Sequence, residues 1–290
     1  MDVDVSIIIL TKNAGEKFNL LMEKIFSQKF MNSFEVLVLD SGSQDKTIEI
    51  AKKYPVKLIQ IKPAEFHHGQ TRNYGAEMAK GKILIYITQD ALPVNEDWLI
   101  NLTDPLRDPE AGMVSGRQLP WQTTKPPEKF YYHYYFPDFK VVIDKKGLNN
   151  FRDNTFISNV NSAIRKDVWN QFKFSENIML TEDKEFAARI FKAGWKIIYE
   201  PNAAVYHAHD FNICSIFWRS VEYGISVRQG KDILEDTTHF SIKKIFNYFY
   251  SEIRYLAQMG CFKWIPYSLI YDISRNSGTF CGKIGLIKNR

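Results

Sequence analysis

The chain has few cysteines, no long apolar run and no large excess of either charge, and each shortage excludes a class of protein. Cys214, Cys261 and Cys281 are too few and too scattered for a disulfide framework, and no CxxC pair suggests structural zinc. No apolar stretch reaches the roughly 18 residues that a membrane-spanning helix needs, and the first residues lack the basic start of a signal peptide. We therefore expect a cytoplasmic protein that is neither secreted nor transmembrane.

The composition is typical of an ordinary folded protein. Hydrophobic residues make up 45% of the 290 residues and charged residues 24%, which excludes disorder and collagen-like sequence. A chain of this length can form one large domain, or one domain with a substantial C-terminal extension.

The positive charge is concentrated at the C-terminal end. Residues 240–290 carry eight basic, two acidic and eleven aromatic residues, for a net charge of +6, whereas the first 239 residues sum to −1. Basic and aromatic residues together are typical of a peripheral surface for anionic membranes. A helical subdomain that packs its aromatic rings onto the main core explains them equally well. Nucleic acid is not expected as a partner, because no recognisable binding module accompanies the charge.

The first hundred residues alternate between strand and helix patterns. Continuous β-branched runs predict four strands, at Val5–Leu10, Val36–Asp40, Val56–Ile61 and Ile83–Thr88. Helical patterns lie between and after them, at Gly15–Gln28, Asp45–Lys53, Thr71–Ala79 and Asn95–Leu106. This alternation predicts right-handed βαβ units and a mostly parallel sheet, in which ligands bind beyond the carboxyl ends of the strands.

The second half is less regular. Residues 120–137 contain four prolines and a cluster of Tyr, Phe and His, which predicts a long loop with a short helix. Thr181–Ala193 is a predicted helix, because Thr181 is a suitable N-cap, acids occupy the first turn and Gly194 ends it. A strand is predicted over Trp195–Tyr199, and the pattern is helical from His209 nearly to the end.

Polar segments that follow predicted strands are candidate site residues. Asp40-Ser41-Gly42-Ser43 could bind a nucleoside through its acid, or could form only an Asx turn that starts a helix. Thr88-Gln89-Asp90 places one carboxylate where it could ligate a divalent cation completed by substrate phosphates, or could only initiate a turn. Arg72 lies in the first turn of the predicted helix that follows Gly69. At this position its guanidinium could bind a phosphate or a base.

Two later motifs offer a base and a further metal ligand. Glu182-Asp183 lies in a first helical turn, where acids complement the helix dipole and often do nothing else, yet one could serve as a general base. Val205-Tyr206-His207-Ala208-His209 follows a strand, where a neutral imidazole could complete a metal site. The adjacent His67 and His68 are a weaker metal candidate, because neighbouring loop side chains diverge.

In this order and spacing the motifs resemble glycosyltransferase family 2, the inverting enzymes with a GT-A fold. The resemblance covers about residues 3–215 and rests on Val5–Asn13, Asp40–Thr47 and Glu182-Asp183. It implies an α/β domain at 1–215, with a Rossmann-like, mostly parallel sheet flanked by helices. Residues 216–290 would form a helical, basic and aromatic extension that associates with membranes.

Within the family, three stretches resemble the bacterial rhamnosyltransferases that use dTDP-L-rhamnose to build cell-surface polysaccharides. They are His68–Ala76, Thr88–Pro93 together with Gly116–Pro120, and Ser158–Arg165. One departure concerns the DxD metal motif of the family, which here reads Thr88-Gln89-Asp90 and has lost its first acid.

The resemblance implies that Thr11, Asp40, Arg72 and Gln89 hold the nucleotide-sugar donor. Thr11, Asp40 and Gln89 lie at the ends of the first, second and fourth predicted strands. Arg72 lies at the start of a predicted helix. The donor diphosphate would then lie next to the altered metal motif.

The resemblance also implies the metal ligands and the base. Asp90 would bind Mg²⁺ or Mn²⁺ with His207, for which His209 is the alternative. Asp183 would be the catalytic base, with Glu182 as the residue that takes this role if Asp183 does not.

The expected function is transfer of L-rhamnose to a lipid-linked oligosaccharide at the cytoplasmic face of the membrane, in O-antigen or capsule synthesis. One alternative is transfer of glucose, galactose or N-acetylglucosamine from a UDP donor. Another is a noncatalytic nucleotide-sugar-binding subunit, which the Glu182-Asp183 pair disfavours because binding needs no base.

Overall fold

A computed structural model describes residues 3–144, 156–234 and 242–287. Its N-terminal part is built on four parallel strands in the spatial order β3-β2-β1-β4. They are β1 (Val5–Thr11), β2 (Phe34–Asp40), β3 (Lys57–Gln60) and β4 (Ile83–Ile87). All four lie where the sequence predicts them, and the apolar runs of β1, β2 and β4 are buried, whereas β3 at the edge of the sheet is only partly buried.

Four helices connect and follow these strands. They are α1 (Lys17–Phe26), α2 (Thr47–Ala51), α3 (His68–Met78) and α4 (Trp98–Thr103). Helix α3 begins three residues before its predicted start, so that it contains Gly69. It packs closely on the sheet at Gly75, where an added Cβ would lie 2.8 Å from the Ile8 side chain. This close contact fixes α3 over the carboxyl half of β1.

The sheet continues with antiparallel and parallel pairs. Its further strands are β5 (Leu92–Pro93), β6 (Ala111–Leu119), β7 (Val141–Ile143), β8 (Asn161–Arg165) and β9 (Lys196–Tyr206). Strand β8 is antiparallel to both β4 and β6, whereas β6 and β9 are parallel. Within the described residues the result is one nine-stranded mixed sheet.

Strand β9 is longer than the predicted Trp195–Tyr199. A register shift between Gly116 and Gln118 of β6 lets β9 continue past Pro201, so that Gln118 pairs with Val205. Proline is tolerated in a strand at such an irregularity. The extension brings the end of β9, and the histidines that follow it, to the edge of the sheet where β4 ends.

Strand β8 has no hydrophobic pattern because its polar side chains bond inside the protein. Asn161 is fully buried, its Nδ2 donates to the Ala203 carbonyl at 2.7 Å, and its Oδ1 accepts from the Trp98 indole at 2.9 Å. Buried polar groups that are satisfied in this way cost little, so a strand can be polar and still central.

Three further helices among the described residues pack around the sheet. They are α5 (Pro126–Tyr135), α6 (Lys166–Phe172) and α7 (Glu182–Lys192). Helix α5 is the short helix predicted in the proline-rich loop, and α7 matches its prediction. One hydrophobic core lies between α1, α4 and the sheet, and the other lies on the opposite face beneath α3, α6 and α7. The layers are those of an α/β protein.

The C-terminal end is helical, as expected, with four α-helices among its described residues. They are α8 (Ile213–Gln229), α9 (Lys231–Leu234), α10 (Ile242–Gln258) and α11 (Ile265–Ile284). Helices α8 and α11 touch through their backbones, since an added Cβ on Gly224 would lie 2.2 Å from the Thr279 carbonyl oxygen and one on Gly278 2.4 Å from that of Phe217. In the described part of the chain, no helix combines the length and apolar character that crossing a bilayer requires.

An arginine joins the C-terminal helices to α5. Arg275 of α11 forms an ion pair with Glu128 at 2.7 Å, and its guanidinium lies 4.7 Å from the ring centroid of Tyr131. Tyr248 of α10 packs against Phe130 with 5.1 Å between ring centroids. Part of the aromatic content thus packs onto α5, although a domain boundary near residue 215 stays a prediction.

We predict that Gly282→Ala destabilises the protein by about 1–3 kcal/mol, the usual cost of overpacking. An added Cβ would lie 2.2 Å from the Val221 carbonyl oxygen, so α8 and α11 would have to separate. Alanine has the higher helix propensity, by about 1 kcal/mol, so a net loss can come only from the clash. Denaturant unfolding measures the change in the free energy of unfolding.

The control is Ser277→Ala on the exposed side of α11, which should change stability by less than about 0.5 kcal/mol. Equal effects of the two substitutions would contradict backbone contact between α8 and α11.

Candidate active site

The carboxyl ends of β1 and β2 carry a buried polar pair. Thr11 and Asp40 are register partners, and the Thr11 hydroxyl donates to Asp40 Oδ2 at 3.0 Å. The other oxygen of Asp40 accepts from the backbone N–H groups of Gly42 and Ser43 at 3.0 and 2.9 Å. The Asx turn considered from the sequence is therefore present, and Gly42 adopts the positive φ of 89° that the turn requires.

The side chain of Gln89 joins the end of β4 to that of β1. Its Oε1 accepts from the Lys12 backbone N–H at 2.8 Å, and its Nε2 donates to the Lys12 carbonyl at 3.2 Å. Both ends of the amide are engaged with the backbone of Lys12, the residue that follows β1. Gln89 thus fixes the loop that presents Asp90, the next residue.

Asp90 and two histidines form a compact cluster. His207 Nε2 lies 3.7 Å from Asp90 Oδ1, and His209 Nε2 lies 3.6 Å from Asp90 Oδ2. One ligand atom from each of the three residues fits within 4.8 Å. The sequence presents His207 and His209 as alternatives, but the structure places both rings against the carboxylate.

Gln118, which was not given a role from the sequence, orients His207. Its Oε1 lies 2.9 Å from His207 Nδ1, and both side chains are buried. Burial lowers the pKa of His207 to about 4, although the nearby Asp90 acts to raise it. The neutral ring therefore donates from Nδ1 to Gln118, and the lone pair on Nε2 faces Asp90. A carboxylate oxygen with an imidazole held in one tautomer is a donor set that fits a divalent metal.

Asp183 is held in the first turn of α7 by backbone donors. Its Oδ2 accepts from the Asn159 N–H at 3.0 Å and its Oδ1 from the Lys184 N–H at 2.8 Å. The residue is only 9% exposed. Asn159 belongs to the Ser158–Arg165 stretch noted in the sequence, although its contact with the acid depends on the fold. Its own Nδ2 is buried without a hydrogen-bond partner.

Glu182 forms a buried ion pair with Arg72. The contact joins α7 to α3 across 110 residues of sequence. Burial raises the pKa of Glu182 to about 7, Arg72 lowers it, and the adjacent Asp183 raises it. The guanidinium of Arg72 is committed to this carboxylate in the structure, so its contact with a nucleotide stays a prediction.

Comparison with known proteins gives two relatives that match almost the whole chain. The O-antigen chain rhamnosyltransferase RfbN of Salmonella typhimurium is 29% identical over 283 residues, which is 96% of this chain and 89% of the relative. The O-antigen chain rhamnosyltransferase WbaN of Salmonella anatum is 30% identical over 281 residues, with the same coverage of 96% and 89%.

Solved structures show similarity of fold. The mannosyltransferase PcManGT of Pyrobaculum calidifontis, in complex with GDP-Man and Mn²⁺, gives a TM-score of 0.63 at 17% identity and covers 97% of this chain and 88% of its own. Residues 1–349 of TarS from Staphylococcus aureus give 0.58 at 16% identity, covering 98% and 91%. These neighbours are GT-A transferases.

Residues 6–172 match the family described as "Glycosyl transferase family 2", which is more than half of the chain. The family predicted from the motifs is thus confirmed, and so is its fold. The chain belongs to glycosyltransferase family 2 and is a glycosyltransferase with a GT-A fold.

Proposed function

We propose that this protein transfers L-rhamnose from dTDP-L-rhamnose to a lipid-linked oligosaccharide of a cell-surface polysaccharide, with inversion at the anomeric carbon. The similarity to two O-antigen chain rhamnosyltransferases over 96% of the chain is the observation that carries this proposal. The match extends well beyond residue 172, where the family match ends, and so includes α7, which carries Asp183, and the C-terminal helices.

The geometry supports Asp183 as the base. Inversion requires the acceptor hydroxyl to attack from the side opposite the leaving diphosphate, and a base must take its proton. The two N–H groups that donate to Asp183 fix the orientation of its carboxylate. Glu182 is occupied by Arg72, which makes it the weaker candidate.

Asp90, His207 and His209 would hold the divalent cation that the donor diphosphate needs. Two imidazole nitrogens beside one carboxylate favour Mn²⁺ over Mg²⁺, because Mg²⁺ prefers oxygen ligands almost exclusively. A cation bound there would neutralise the charge that develops on the leaving diphosphate. Thr11, Asp40, Gln89 and Arg72 lie at or near the same edge and are the proposed donor-binding residues.

Asp183→Asn should reduce turnover by about 10²–10⁴, the usual contribution of a positioned base, with dTDP binding unchanged. The amide is isosteric, so the fold should persist. Steady-state kinetics with a fluorescence titration of dTDP measures both quantities. Near-normal turnover in Asp183→Asn would overturn the assignment and leave Glu182 as the candidate base.

Gln118→Leu should weaken Mn²⁺ binding by about 10–100-fold, since the partner that fixes the ligating ring is lost. Calorimetry of Mn²⁺ binding in the presence of dTDP measures the change. Gln258→Leu, at an exposed position on α10, is the control and should leave Mn²⁺ affinity unchanged. Unaltered affinity in Gln118→Leu would remove His207 from the metal site.

The C-terminal surface supports a peripheral membrane role. Lys243, Lys244, Arg254 and Lys263 are exposed on and after α10, whereas Arg275 is engaged with Glu128. Large apolar side chains are also exposed on α10, on α11 and in the segment between them: Phe246, Tyr250, Phe262, Ile270 and Ile273. Residues 288–290 of the predicted membrane segment, and 240–241 at its start, lie outside the described residues. We place this surface against the cytoplasmic face of an anionic membrane.

Four exposed basic residues should contribute about 4 kcal/mol, at about 1 kcal/mol each near an anionic surface, which gives reversible association. The protein should pellet with anionic vesicles at low salt and be released at high salt. Phe246→Ser should weaken pelleting, whereas Met31→Ser, at a fully exposed site in the N-terminal part, should not. Equal pelleting with neutral vesicles would refute electrostatic docking.

Transfer of another sugar from a UDP donor is the second candidate. It is favoured by structural similarity to TarS, which has been solved in complex with UDP and with UDP-GlcNAc. Incubation with dTDP-rhamnose, UDP-glucose, UDP-galactose or UDP-N-acetylglucosamine and Mn²⁺ tests both. Selective hydrolysis of dTDP-rhamnose supports the proposal, and selective hydrolysis of a UDP donor replaces it. Donor binding with no hydrolysis or transfer would indicate a noncatalytic subunit.

A further inference from the structure

The segment that leads into α7 determines the position of Asp183, which lies in the first turn of that helix. Thr181 is the N-cap residue, but among the described residues its side chain makes no hydrogen bond that caps α7. Helix starts are commonly fixed by such a local side-chain cap. The start of α7 therefore depends on contacts with other elements.

Ser226 of α8 provides such a contact. Its Oγ accepts from the backbone N–H groups of Leu180 and Thr181 at 2.9 and 3.0 Å, and it lies 2.9 Å from the Thr181 hydroxyl oxygen. The two N–H groups occupy both lone pairs of the serine oxygen, so its own O–H donates to Thr181 Oγ1. Ser226 is fully buried. Its whole hydrogen-bonding capacity is thus engaged with the two residues that precede Glu182.

Gln229, further along α8, extends this contact. Its Oε1 accepts from the Met179 N–H at 3.1 Å. Gly230, which follows α8, lies so close to Ile178 that an added Cβ would be 3.0 Å from Ile178 Cδ1. The backbone N–H groups of residues 179–181 therefore all donate to side chains of α8. The C-terminal end of α8 thus holds the stretch of chain that leads to the proposed base.

Helix α3 holds the other end of this segment. Asn73 Nδ2 donates to the Phe174 carbonyl at 2.9 Å, and Asn73 Oδ1 accepts from the Phe174 N–H at 2.9 Å. Residues 174–181 therefore run between one end fixed on α3 and one end fixed on α8. The α8 end adjoins the first turn of α7, so it has the more direct effect on the base. A displacement of about 1 Å at a reacting group can lower turnover by about 100-fold.

We propose that Ser226 is a positioning residue for the transfer reaction, which fixes the start of α7 and thereby the direction of the Asp183 carboxylate. The inference rests on the proposed function for the role of Asp183 as the base. Ser226 lies beyond residue 215, in the part of the chain that the sequence predicts to be a separate extension. The C-terminal helices then take part in catalysis, because one of them holds the base in place.

Ser226→Ala removes the acceptor of both N–H groups and is the first test variant. It should lower kcat by about 10–100-fold and leave the KM for the donor and the affinity for dTDP within about twofold of wild type, because only the base is displaced. Steady-state kinetics with whichever donor the protein turns over, and a fluorescence titration of dTDP, measure these quantities. Gln229→Leu removes one partly exposed contact, so the fold should persist, and it should lower kcat in the same way but less.

Each variant has a matched control. Ser274 of α11 donates to the Ile213 carbonyl at 2.9 Å, so Ser274→Ala also removes a serine hydrogen bond to a backbone group, but at the opposite end of α8 from Ser226. Gln258→Leu, at an exposed position on α10, is the control for Gln229→Leu. Both controls should leave kcat unchanged.

A double variant separates positioning from a merely structural role. If Ser226 acts through Asp183, then adding Ser226→Ala to Asp183→Asn should not slow the reaction further, since the carboxylate that Ser226 positions is already lost. A further loss of about tenfold in the double variant would show that Ser226 acts on the fold as a whole, because independent effects add. That result would overturn the proposal.

Two further results would overturn the proposal: equal kcat in Ser226→Ala and Ser274→Ala, or a loss of turnover in Ser226→Ala that comes entirely from a higher KM for the donor. Near-normal turnover in Asp183→Asn would refute the base assignment and the positioning role together. An inactive Asp183→Asn beside a fully active Ser226→Ala would remove only the positioning role and leave the proposed function intact.

Discussion

The buried ion pair between Arg72 and Glu182 fixes the relation between the two halves of the catalytic part. Arg72 lies on α3, which packs on β1 and β2, and Glu182 lies in the first turn of α7. Removing one partner of such a pair leaves an uncompensated buried charge, which typically costs about 3–5 kcal/mol. The first turn of α7 is therefore held in place, and with it Asp183.

The sheet fixes the positions of the polar residues at its carboxyl edge. Parallel strands end at one edge, so Thr11, Asp40 and Asp90 meet there although they are far apart in sequence. Strand β9 delivers His207 to the same edge because its register shift against β6 lets it run past Pro201. Thr11, Asp40 and Asp183 lie within secondary-structure elements, and the Gln89 hydrogen bonds to Lys12 fix the loop that carries Asp90, which favours a preorganised arrangement.

The sequence predicts those parts of this arrangement that depend on local pattern. Apolar runs predict β1 to β4, and capping residues predict α7, because each signal lies within a few residues. Strand β8 is not predicted, since Asn161 finds its partners on β9 and on Trp98. The roles of Gln118 and Asn159 also depend on tertiary contacts, so their types and spacing alone do not reveal them.

The basic and aromatic residues of 240–290 predict either a membrane surface or a helical subdomain packed onto the core. The C-terminal helices show why these two interpretations do not exclude each other. The charge and aromatic counts of residues 240–290 do not indicate which side of a helix each residue occupies. In the structure Tyr248 and Arg275 pack onto α5, whereas Phe246 and Lys243 are exposed. Residues of α8 and α11 line a pocket together with α5 and α7, and the exposed side of α10 carries Phe246 and Lys243.

We propose that Asp90, His207 and His209 hold one divalent metal ion. Anomalous diffraction from a crystal grown with Mn²⁺ and dTDP tests it most directly. The account predicts one manganese peak bonded to Asp90 and to the histidines, with the diphosphate of dTDP completing the coordination. A manganese ion held elsewhere, or dTDP bound with no ion at these residues, would contradict the account.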